Sequence, residues 1–156
     1  MKRLPVRLLL LAVLYIISMT VISCKHGCHG KTGTSSAGSR ESHNMGLNCM
    51  NCHTAGGDGE GCFNIGGTAY SDDLKTTFPG CVIDLYTEAG AKGELVTSLV
   101  SDGKGNFYTG RAVNWGKGLY PTITSPAGNS ENMLEPITNG GCNKCHGSTT
   151  DRIFIY

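Results

Sequence analysis

Two five-residue units constrain this chain more than anything else in it: Cys49-Met50-Asn51-Cys52-His53 and Cys142-Asn143-Lys144-Cys145-His146. Both have the order Cys-x-x-Cys-His, and they take up half of the eight cysteines in a chain of 156 residues. The rest of the chain is poor in helix signals. Only 16% of residues are charged, 23 are Gly, and no window has a convincing helical period. A formal net charge of +1 leaves no basic stripe to neutralise phosphates, which argues against a nucleic-acid partner.

Cys-x-x-Cys-His is the attachment pattern for c-type haem. Each thiol adds to one of two vinyl groups on neighbouring pyrroles, and two intervening residues let both reach. The His next in line offers its imidazole to the iron. Three other uses exist for such cysteines. Cys49, Cys52, Cys142 and Cys145 could form a zinc tetrathiolate, a lone Cys-x-x-Cys can be a redox dithiol, and exported cysteines form disulfides. The His after each unit is idle in all three and required only by haem. The expectation is therefore two covalent haems, on Cys49 and Cys52 and on Cys142 and Cys145, with His53 and His146 as proximal iron ligands.

A sixth ligand on each iron separates an electron carrier from an enzyme with an open iron. His43, in the loop Ser42-His43-Asn44-Met45-Gly46, is the leading distal candidate, followed by His29 and His26. Met45, Met50 and Met133 are soft alternatives that would raise the potential. Of the remaining cysteines, Cys62 and Cys81 flank the first proposed strand and are expected to form a disulfide. Cys24-Lys25-His26-Gly27-Cys28-His29 reads as a rarer, wider motif on which a third haem could attach.

The N-terminus speaks to compartment. Lys2, Arg3 and Arg7 precede an apolar run over residues 8–17, and small residues follow, so residues 1–23 read as a secretory signal peptide. An uncleaved membrane helix is the other reading of that stretch. Val21-Ile22-Ser23-Cys24 resembles the lipobox of bacterial lipoproteins, which implies a lipid on Cys24 and a mature chain anchored to a membrane. Residues 24–48, rich in Gly, Ser and Thr, read as a flexible tether carrying candidate distal histidines. The first haem segment is then 49–62 and the second 128–156.

Between them, residues 63–127 read as short strands broken by Gly/Asp turns, a small β-sandwich. Gly67-Thr68-Ala69-Tyr70, Gly80-Cys81-Val82-Ile83-Asp84-Leu85-Tyr86, Asp102-Gly103-Lys104-Gly105-Asn106-Phe107 and Leu119-Tyr120-Pro121-Thr122-Ile123 resemble the carboxypeptidase regulatory-like (transthyretin-like) β-sandwich. In that turn Gly105 is expected to take a positive φ and Phe107 to enter the core. The resemblance implies a non-catalytic spacer or interaction module and covers less than half of the chain.

The surroundings of both motifs resemble small multihaem cytochromes of respiring bacteria. Together these readings predict a mainly β, immunoglobulin- or transthyretin-like sandwich with haem-binding loops before and after it. The expected role is an exported, lipid-anchored dihaem c-type cytochrome of the bacterial periplasm, outer membrane or cell surface. It would relay electrons between redox-partner proteins such as other cytochromes, with no catalytic constellation of its own. The rival readings are a haem enzyme, a peroxidase or a reductase of small oxyanions, and a haem-decorated adhesion or assembly subunit.

Overall fold

The structure is a computed structural model, and it describes residues 33–156. The signal segment, Cys24, His26, Cys28 and His29 lie outside the described residues, and with them the expected lipid site and third attachment motif.

Among the described residues eight strands form two sheets: β1 (Ile65–Tyr70), β2 (Val82–Glu88), β3 (Lys92–Val100), β4 (Asn106–Thr109), β5 (Tyr120–Thr124), β6 (Ser130–Asn132), β7 (Gly140–Gly141) and β8 (Ile153–Phe154). One sheet runs β3-β2-β5-β6. In the other, β1 is flanked by β4 and β7, and β8 also pairs with β1. This is the mainly β sandwich expected from the alternation of short apolar runs and Gly/Asp turns. Along β2 the period of two buries Ile83 and Leu85 and turns Val82 outward. Leu99 and Ile123 on the neighbouring strands join them, and Ile65, Ala69 and Phe107 come from the other sheet.

The turn before β4 explains how Phe107 reaches that core. Asp102 Oδ1 accepts hydrogen bonds from the backbone N–H groups of Lys104 (2.9 Å) and Asn106 (3.1 Å). Gly105 then takes φ +80°, where a Cβ would also press on the Ala69 carbonyl oxygen at 3.0 Å. The chain leaves the turn with Phe107 almost wholly buried, a burial that stabilises the fold by roughly 1.5–3 kcal/mol.

β1 is the hub, buried along its whole length. It pairs antiparallel with β4 and parallel with both β7 (Ile65↔Gly140) and β8 (Ala69↔Ile153). Residues 128–156 are thus woven into both sheets through β6, β7 and β8, strands too short to leave a period in the sequence. The described part of the expected tether is also laid on the sandwich. Ser35 donates its N–H to the Tyr108 carbonyl (2.9 Å) and its hydroxyl to the Val100 carbonyl (2.7 Å).

One expectation is overturned. Cys81 is a free thiol, so the Cys62–Cys81 disulfide does not form. Cys62 is disulfide-bonded, and the other described cysteines are free. Strand alternation puts Cys81 on the inner face with Ile83 and Leu85, fully buried, and its N–H is held by Ser101 Oγ at 2.8 Å. Cys62 instead sits half-buried ahead of β1. Burial pushes the Cys81 thiol up to about 11.

Candidate functional site

The two Cys-x-x-Cys-His units adopt the same local structure. Each begins with a 3₁₀ turn, Cys49–Asn51 in the first and Cys142–Lys144 in the second. In each, the His N–H closes back on the carbonyl of the first Cys: His53 on Cys49 at 2.9 Å, His146 on Cys142 at 3.1 Å. Asn48 caps the first turn, its side-chain oxygen accepting from the Met50 N–H. This curl gathers both sulfurs and the ring of each unit onto one side.

The imidazoles are oriented alike. His53 Nδ1 lies 3.1 Å from the Glu60 carbonyl oxygen, and His146 Nδ1 lies 2.8 Å from that of Asp151. A carbonyl can only accept, so Nδ1 carries the hydrogen in both rings and Nε2 keeps its lone pair. That is the tautomer and second-ligand arrangement by which proteins aim an imidazole at a metal. The Gly-rich run after the first motif, which reads in sequence as a mere separator, makes the clamp. A Cβ on Gly59 would stand 2.8 Å from His53 Nδ1, so only Gly lets the loop close over the ring.

Each unit opens onto its own cavity. The first, about 890 Å³, is lined by Cys49, Cys52, His53 and His43, with Phe63 and Tyr108. The second, about 550 Å³, is lined by Cys142, Cys145, His146 and Met133, with Ile153 and Phe154. Both volumes fall in the range in which proteins hold sizeable ligands and cofactors. In the first, His53 stacks on Phe63 (4.2 Å between centroids), and Phe63 stacks on Tyr108 (4.7 Å). On this side too is His43, its ring centroid 5.7 Å from that of His53. Two imidazoles bound to opposite sides of one metal at about 2 Å have centroids about 6 Å apart, so this spacing is within reach of a shared ion.

The units are also locked to each other through β1. A Cβ on Gly66 would meet Cys49 Cβ at 3.0 Å, and one on Gly67 would meet Cys142 Cβ at 3.0 Å. The consecutive glycines let one motif pack on each face of the strand. Asn143, buried inside the second motif, accepts from the Thr68 N–H (3.1 Å) and donates to Thr68 Oγ1 (2.9 Å) and to the Leu47 carbonyl (3.0 Å). Neither the glycine pair nor Asn143 is singled out by sequence reasoning, and the Phe63–Tyr108 stack leaves no sequence signal either.

All four motif cysteines are free thiols. Among the described residues no three His, Cys, Asp or Glu side chains converge as a metal-binding cluster, so the four sulfurs do not form the tetrathiolate that a shared zinc would need. Desolvation, aided by the proximity of Cys49 and Cys145, pushes the Cys142 thiol up to about 12, and burial raises Cys49 as well. These positions disfavour an anionic thiolate and suit a neutral sulfur such as a thioether. Of the described candidate ligands, His43 is brought to the first motif and Met133 to the second. Met45, well exposed, lines neither cavity.

Comparison with protein families, with characterised proteins and with solved structures finds no match to this chain. The site must therefore be read from its own chemistry.

Proposed function

We propose that this chain is an exported dihaem c-type cytochrome that passes electrons between redox partners. One observation carries the reading: two Cys-x-x-Cys-His units, far apart in sequence, fold into the same turn with the same Nδ1-to-carbonyl bond, each facing a cavity of its own. A zinc tetrathiolate or a redox dithiol would leave both rings without a role.

Cys49 and Cys52 hold the first haem by thioether bonds, and Cys142 and Cys145 hold the second. His53 and His146 supply the proximal nitrogen, and the Glu60 and Asp151 carbonyls fix the tautomer and raise its basicity. His43, whose ring lies near that of His53, would be the second nitrogen donor to the first iron. Held by these residues, haem would supply one-electron chemistry. The protein contributes orientation and partial exclusion of water, with Phe63 and Ile153 as apolar walls. A signal peptide over residues 1–23 and a lipid on Cys24 would deliver the chain to the periplasm, outer membrane or cell surface and hold it there, where other cytochromes are the natural partners.

The test is the intact mass of the full chain purified from a cytochrome c-maturing host. The reading expects two haem adducts that survive denaturation, and only one in a Cys49→Ala/Cys52→Ala variant. A zinc adduct, or no adduct, overturns it.

A further inference from the structure

The two cavities differ in the second donor that their lining offers beside the motif histidine. The first contains His43. In the second, the described residues offer no imidazole besides His146. Its polar side chains are largely committed. Thr122 Oγ1 donates to Asn132 Oδ1 (2.8 Å), Glu131 accepts from the Tyr156 hydroxyl (2.9 Å), and Asn139 Oδ1 accepts from the Gly141 N–H (3.3 Å). Arg152 donates to the Leu74 carbonyl (2.8 Å) and lies 4.6 Å over the Tyr70 ring. Met133 remains: a half-buried thioether in a predominantly apolar lining, on backbone anchored by its N–H to the Pro121 carbonyl (2.9 Å) just after β6.

We infer that Met133 is the sixth ligand of the second iron, which makes the second haem the higher-potential member of the pair. This rests on the dihaem reading. A thioether is neutral and soft, favours ferrous over ferric iron, and suits a mostly apolar lining. Electrostatics act in the same direction. Glu41, Asp58 and Glu60 line the first cavity with no Lys or Arg among its described lining residues, which favours the ferric state there, whereas the second is lined by one charge of each sign, Glu131 and Arg152. The difference would give the protein a polarity, with an electron passing from the first haem to the second.

The experiment is a spectroelectrochemical titration of the full-length holoprotein, with haem number checked by mass in every sample. The wild type should give two separated redox waves and the long-wavelength charge-transfer band of methionine-ligated ferric haem. Met133→Ala should abolish that band, lower the upper wave and open one ferrous iron to carbon monoxide, with the lower wave unmoved. Met133→His preserves six-coordination and should lower the upper wave without admitting carbon monoxide, and Met45→Ala should change nothing. Two haems with no such band in the wild type, or both waves unchanged in Met133→Ala and Met133→His, overturns Met133 while leaving the dihaem reading intact. Absence of haem overturns the dihaem reading itself.

Discussion

The ring centroids of His43 and His53 lie 5.7 Å apart with their planes inclined by 38°, although ten positions separate the residues and both occupy irregular loops. The segment that carries His43 is fastened from both sides. Asn106 Nδ2 donates to the His43 carbonyl (3.2 Å) and to Ser42 Oγ (3.0 Å), and Lys104 Nζ donates to the Ser42 carbonyl (2.6 Å). The backbone of His43 is thereby held beside the first motif, while its ring stays exposed to solvent.

Replacing His43 by Ala should therefore act on the first haem alone. A six-coordinate low-spin iron that loses its distal imidazole becomes high-spin or water-ligated and binds carbon monoxide. The expected difference spectrum affects one haem of two. If both haems keep wild-type spectra, the ligand of the first iron comes from elsewhere in the chain.

Asn143 ties the second motif to β1 and to the loop before the first motif through three hydrogen bonds. Asn143→Ala strands the Thr68 N–H in a buried site, which costs about 1–3 kcal/mol. Thermal unfolding should shift down by roughly 5–10 °C. Haem number should remain two, since none of the attachment residues is touched. An unchanged Tm would show that the two motifs are held together by other contacts.

Cys81 predicts a reactivity and a pH dependence. Buried and raised from 9.0 to about 11, mainly by desolvation, the thiol keeps a proton that the unfolded chain releases above pH 9. The sign follows from linkage: the folded state binds more protons, so this stabilisation is full below about pH 9 and is lost as pH rises toward 11. Native protein should leave Cys81 unalkylated at pH 8 and expose it on unfolding, as peptide mapping would detect. Cys81→Ala should flatten the fall of Tm between pH 9 and 11. Rapid alkylation of the native thiol would contradict the buried environment.

What could be read from the sequence alone was what local chemistry determines. Five consecutive residues set the curl of each Cys-x-x-Cys-His unit, because its closing bond spans only four positions. The alternation in residues 82–86 and the Asp102–Gly105 turn likewise announce a sandwich, since a strand's period and a positive φ are properties of neighbours in the chain. Tertiary structure alone decided the rest: that His43 meets His53 rather than His146, that Met133 enters the second cavity, and that Cys81 is sealed in the core instead of bridged to Cys62. It also decided that Gly66 and Gly67 let the motifs pack on either face of one strand. Each of these depends on which strands pair and in what register, and no local spacing encodes that choice. It is made by burying one common core, in which β1 gains partners 38, 44 and 75 positions further along the chain, in the pairs Thr68↔Asn106, Ile65↔Thr109 and Ile65↔Gly140.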